Sequence, residues 1–98
     1  MERDLAIARL QAHEAELKRL GVKHLYLAGS TARGEARADS DVDLFFDRYW
    51  DSRLSLFDLI DMKVLAEDIL GIEVDIGTRT GLHPRLKAAI ERSAVRVF

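Results

Sequence analysis

The chain contains no cysteine, one proline and one tryptophan in 98 residues. Without cysteine it has no disulfide framework, no thiolate zinc site and no cysteine nucleophile, and it suits a reducing compartment. One proline and six glycines are too few for a collagen-like or low-complexity chain. Long hydrophobic runs are also missing. No uninterrupted apolar segment approaches the roughly 18 to 20 residues that span a bilayer, and the amino terminus is charged from Glu2 onward. These absences predict a soluble, unprocessed, cytoplasmic protein with no membrane partner. Nor is there an excess of one charge: 15 Lys plus Arg against 17 Asp plus Glu leave a net charge of −2, so direct nucleic-acid binding through a basic field is not expected.

A composition of 48% hydrophobic and 33% charged residues is that of an ordinary folded protein. The length suffices for a single modest core, so one domain is expected. Glu2 to Leu20 lacks Gly and Pro and places Ala6, Leu10, His13, Leu17 and Leu20 on one helical stripe, which Gly21 ends. His13 fits a half-buried rim position and is given no chemistry. Val22 to Ala28 reads as a strand running into Gly29-Ser30, a turn that opens a short helix. After the polar stretch Glu35 to Ser40, Asp41 to Asp47 reads as a second strand, with Val42, Leu44 and Phe46 on one face and Asp41, Asp43 and Phe45 on the other. Leu54 to Leu70 reads as a helix ended by Gly71, with apolar residues around more than half of its circumference. Ile72 to Gly77 is the third strand, with Glu73 and Asp75 on one face. Pro84 suits the first turn of a last helix carrying Leu86, Ala89, Ile90 and Ser93. Val95 to Phe98 alternates, as a short edge strand or a packed tail would.

Carboxylates two apart on a strand point the same way with Cα atoms roughly 6.5 to 7 Å apart, so Asp41 and Asp43 can converge on a hard cation. A solvated strand face explains them equally well on this spacing alone. Upstream, Gly29-Ser30-Thr31-Ala32-Arg33-Gly34 delivers small residues to a helix N-terminus, where free N–H groups and the Ser30 hydroxyl favour phosphate; a plain turn with a Ser cap is the structural alternative. A P-loop is excluded because Glu35 and Ala36 follow Gly34 where Lys and Ser or Thr are required. An EF-hand starting at Asp39 is excluded because its sixth position is Leu44 and its twelfth is Trp50.

Together, Gly29-Ser30-Thr31-Ala32-Arg33-Gly34 and Ser40-Asp41-Val42-Asp43-Leu44 resemble the signature of the minimal nucleotidyltransferases of the DNA polymerase beta-like superfamily. The order of helices and strands resembles that family over nearly the whole chain. The resemblance implies an α/β (α+β) fold, with a small mixed sheet of three or more strands packed with about four helices, as a single nucleotidyltransferase domain over residues 1–98. It implies a third carboxylate on a neighbouring strand, which Asp75 fits, with Glu73 as the second choice. Asp47 lies too far along its strand to join one metal cluster. Arg33 and Arg79 are the nearest cations and are given no catalytic role.

The mechanism implied by the resemblance is transfer of a nucleoside monophosphate, AMP from ATP, to a hydroxyl acceptor. Asp41, Asp43 and Asp75 would be both catalytic residues and ligands of two Mg2+ ions, and Gly29 and Ser30 would hold the nucleotide phosphates. Minimal members pair with a small helical HEPN-domain protein, and in toxin–antitoxin modules the transferase can neutralise that partner by adding AMP to a tyrosine. The chain is therefore expected to be an antitoxin, docking through the Leu54 to Leu70 helix and the Tyr49-Trp50 pair, although a homo-oligomer would use the same surface. The alternatives are a non-catalytic module that neutralises by docking, and a transferase acting on a small molecule or an RNA end.

Overall fold

The structure, a computed structural model, describes residues 1–49 and 53–98. Its elements are α1 (Arg3–Ala12), α2 (Glu14–Arg19), β1 (Val22–Ala28), α3 (Gly29–Ala32), β2 (Val42–Arg48), α4 (Leu56–Leu70), β3 (Val74–Thr78), a 3-10 turn (Arg79–Gly81), α5 (Pro84–Ser93) and β4 (Val95–Arg96). The four strands form one sheet in the order β3-β2-β1-β4, with β1 antiparallel to β2 and β4 and with β2 parallel to β3. This is the mixed sheet that the family resemblance implies, with four strands where three or more were expected and five helices where about four were, among the described residues. Among the described residues no helix is long and apolar enough to cross a membrane.

Period-two alternation divides the sheet into two unlike faces. Val42, Leu44 and Phe46 of β2 join Leu25, Leu27, Leu10, Leu17, Met62 and Leu70 in the core beneath α1, α2 and α4. The other face carries Asp43, Phe45 and Asp47. Phe45 is buried outside that core cluster, stacked on Tyr26 of β1 with ring centroids 5.0 Å apart.

The predicted helix Glu2 to Leu20 is two helices. His13 leaves helical geometry (φ −111°, ψ 21°) and donates its backbone N–H to Leu10 O at 3.0 Å, closing a tighter turn, while its ring pairs with Glu16 at 2.9 Å. The break preserves the stripe, since Ala6, Leu10 and Leu17 are all fully buried. Elsewhere the strand and helix limits move by one or two residues: β2 starts at Val42, leaving Asp41 just outside it, and β3 starts at Val74, leaving Ile72 and Glu73 in the connection.

The crossover from β2 to β3 is well punctuated. Ser55 and Asp58 form a reciprocal capping box at the start of α4, and Gly71 ends it in the left-handed conformation (φ 68°). β3 lies at the sheet edge, and side chains of α4 satisfy the edge-facing backbone groups of its first residue. Val74 N–H donates to Glu67 Oε2 at 3.1 Å, and Lys63 Nζ donates to Val74 O.

Two stability predictions follow from this local chemistry. Ser55→Ala removes the cap and is expected to cost about 1 kcal/mol in urea unfolding. Thr31 is 1% exposed and its Oγ1 has no partner among the described residues. The isosteric Thr31→Val should therefore raise stability, by about 1 kcal/mol, because it removes an unsatisfied buried hydroxyl; an unchanged or lower midpoint would show that the hydroxyl is satisfied.

Candidate active site

The parallel register of β2 and β3 sets Asp43 directly beside Asp75, and the antiparallel register of β1 and β2 sets Ala28 on the other side of Asp43. The chain turns at the next residue, Gly29, with φ +68°. A Cβ on Gly29 would collide with the Asp43 carboxylate, so both conformation and space require glycine there. The turn and the carboxylate strand are thus packed backbone against side chain.

Asp43, Asp75 and Gly29 line one cleft of about 510 Å³, with Arg33 at its rim and α5 along its far wall. Ser30 is half-buried in the first turn of α3 and is not among the lining residues. Asp41 stands exposed one residue before β2, also outside the cleft lining. Of the five residues singled out from sequence, the fold therefore gathers three in the cleft and leaves two on its approaches. Glu73 is exposed in the turn before β3.

Electrostatics mark Asp43 as the focus. Partial burial pushes its pKa up, the negative charges of Asp75 and then Asp41 push it further in the same direction, and Arg33 offsets part of the effect. Arg33 is itself shared, donating from Nε to Glu35 at 3.1 Å. A partly desolvated carboxylate among like charges is a site short of positive charge. Among the described residues no three His, Cys, Asp or Glu side chains are gathered closely enough to enclose a metal ion. Magnesium does not need such a cage: it is commonly held by one or two carboxylates, with waters and substrate phosphates completing the shell. The hard oxygen donors of Asp43 and Asp75 fit that mode.

Arg79 has a different task. Its guanidinium grips Asp47 with two hydrogen bonds (Nε to Oδ1 at 2.6 Å, Nη2 to Oδ2 at 3.2 Å) and donates from Nη1 to Glu91 of α5 at 3.2 Å. It also lies 4.5 Å over the Tyr26 ring. These contacts tie α5 to the sheet and occupy the cation, and they account for Asp47 without any metal. The wall residues of α5, Ala89, Ile90 and Ser93, had no assigned role in the sequence reading. Their signal was available: a helix with an apolar stripe that supplies no residue to the buried core has that stripe free for another use.

Comparisons with known proteins identify the family to which this fold belongs. A family model described as a nucleotidyltransferase domain matches residues 10–97, and the chain belongs to that family. It is accordingly a nucleotidyltransferase. Protein adenylyltransferase MntA of Thermococcus cleftensis is 36% identical over 89 residues, covering 90% of this chain and 88% of the relative. A solved structure provisionally described as a minimal nucleotidyltransferase superposes with a TM-score of 0.81 at 37% identity, covering 97% of this chain and 95% of that one. A toxin–antitoxin structure with AMP-PNP shares the fold, with a TM-score of 0.71 at 16% identity over 90% of this chain and 72% of that one.

The raised pKa of Asp43 has a consequence for stability. The unfolded chain releases this proton at lower pH than the folded chain, so the folded state holds more protons between the two pKa values and loses stability as pH rises through that window. At pH 7 in EDTA, Asp43→Asn should melt higher than wild type, and the difference should shrink as acid protonates Asp43. A lower melting temperature for Asp43→Asn would contradict this account of the carboxylate.

Proposed function

We propose that the protein transfers AMP from ATP to a tyrosine hydroxyl on a small helical HEPN-domain toxin and so acts as the antitoxin of a cytoplasmic pair. The observation that carries this reading is the Asp43–Asp75 pair beside the Gly29 turn, a concentrated negative site that a cation-bound triphosphate satisfies. In it Asp43, Asp75 and Asp41 would hold two Mg2+ ions, which would supply neutralisation of the negative charge on the phosphates and on the departing pyrophosphate. Gly29 lets the phosphate chain approach the backbone closely, and Ser30 donates its hydroxyl to a phosphate oxygen. The acceptor oxygen bonds to the α-phosphorus, the α–β phosphoanhydride bond breaks, and pyrophosphate leaves. Asp75, more exposed than Asp43, takes the acceptor proton. Asp41 brings a further negative charge to bear on Asp43 from the strand entrance.

The acceptor reading is supported by the relative named as a protein adenylyltransferase and by the surface of α4. Phe57 and Leu56 are 77% and 70% exposed, and Ile60 and Val64 about half exposed, on one side of that helix. Exposed apolar clusters of this kind mark protein-binding surfaces. Tyr49 is also exposed, whereas its neighbour Trp50, named with it as a docking residue, lies outside the described residues.

Purified protein incubated with α-labelled ATP, Mg2+ and the helical product of a neighbouring gene tests the reading. Label should pass to the partner, and Asp43→Asn or Asp75→Asn should reduce the rate by more than about a hundredfold while leaving the complex intact. Complex formation without transfer by the wild type would favour the docking-only module. Transfer to RNA or a small molecule in the partner's absence would favour the remaining alternative.

A further inference from the structure

The cleft has two chemically distinct ends, and only the carboxylate end is used by the reading above. Two residues further along the strands, roughly 7 Å from the Asp43–Asp75 pair, the register places Gly77 beside Phe45. Gly77 is conspicuous because nothing in its backbone demands glycine: its φ lies outside the left-handed range, and a Cβ there would meet no atom within 4 Å. In the middle of a strand, glycine forgoes the packing that a β-branched residue would provide. Here its effect is to leave the floor of the cleft open.

The walls around that opening are apolar. Leu82 follows the 3-10 turn, and Ala89 and Ile90 project from α5, whose residues supply nothing to the buried core. Ser93 adds a hydroxyl, but its Oγ is already directed at the carbonyls of Ala89 and Ile90 on its own helix. The Arg79 bridge to Asp47 and Glu91 holds this wall against the sheet. An apolar slot left open by a glycine, walled by a braced helix and continuous with the anionic end of the same cleft, matches a ligand with a phosphate chain at one end and a flat apolar body at the other.

We infer that the slot bounded by Gly77, Leu82, Ala89 and Ile90 is the nucleobase subsite, and that Gly77 is a specificity-determining residue because its missing side chain makes room for the base. The inference rests on the reading of the carboxylate end as the site of the metal-bound triphosphate. The base is gripped there by area and stacking on apolar walls, with no directional side-chain donor in the slot.

The test compares two probes on the full chain with Mg2+, ATP and inorganic tripolyphosphate, by calorimetric titration of wild type, Gly77→Val, Ala89→Phe and Asp43→Asn. Gly77→Val places a strand-favouring residue in open space, and Ala89 is exposed, so both variants should fold; circular dichroism and melting confirm it. Both should bind tripolyphosphate within about twofold of wild type and bind ATP roughly tenfold or more weakly, whereas Asp43→Asn should lose both probes. Unchanged ATP affinity in Gly77→Val and Ala89→Phe, or a parallel loss of both probes, would place the base elsewhere and overturn the inference alone. A wild-type protein that binds neither probe would overturn the reading of the carboxylate end and the inference with it.

Discussion

The parallel pairing of β2 with β3 is the constraint on which the site depends. Asp43 and Asp75 are 32 positions apart in the chain and become neighbours only because Val42 pairs with Val74 and each later residue keeps step. A slip of one residue would turn Asp75 toward the core and set Val74 or Ile76 beside Asp43, destroying site and core together. The register is therefore pinned at several points. Val74 and Val42 are fully buried on the core face, α4 is started by the Ser55–Asp58 box and ended by Gly71, and Glu67 and Lys63 of the same helix hold both backbone groups of Val74. The crossover helix is at once the link between the strands and the clamp on their alignment.

That alignment brings like charges together, and the two faces of the sheet divide the resulting burden. The core face, packed by α1, α2 and α4, supplies the apolar burial that stabilises the fold. The opposite face carries Asp43, whose ionised form is disfavoured by burial and by Asp75, together with an open cleft among the described residues. An amphipathic helix placed over such a cleft cannot be held by core packing. Arg79 holds it instead, through Asp47 and Glu91 and across the faces of Tyr26 and Phe45. Exposed ion pairs contribute little, but this one is two-pronged, partly shielded and backed by stacked rings, which suits it to fixing a position.

How much of this was legible in the sequence follows from which interactions are local. The Gly29-Ser30 turn, the alternation in β2, the Gly71 stop and Pro84 at the start of α5 each leave a mark within a few residues, and the fold follows those marks. The break at His13 left none, because no Gly or Pro announces it and the stripe of Ala6, Leu10 and Leu17 continues across it. The Ser55–Asp58 box was readable and would have set the start of α4 correctly. What sequence could not convey is register. The pairing of Asp43 with Asp75, the engagement of Asp47 by Arg79 and the turning of α5 toward the cleft depend on contacts between distant segments. Asp41 shows the limit well: spacing makes it the equal of Asp43, yet it lies outside the strand, where solvent reaches it.

The position of the exposed apolar patch bears on the kind of acceptor. Leu56, Phe57, Ile60 and Val64 lie within the first nine residues of α4, whereas the carboxylates lie at the beginnings of β2 and β3, near the opposite end of that helix. Thirteen residues of helix separate Phe57 from Leu70, about 20 Å at 1.5 Å per residue. The helix also packs on the core face of the sheet, and the cleft opens on the other. A small acceptor in the cleft could make no use of the patch. The proposed folded partner, seated on α4, is large enough to span that distance and present a hydroxyl around the β3 edge. Phe57 and Asp43 lie on surfaces that share no residue, so in the proposed reading docking and chemistry are separable by mutation. In the proposed antitoxin reading, the patch serves the encounter with the partner and the carboxylates serve the transfer.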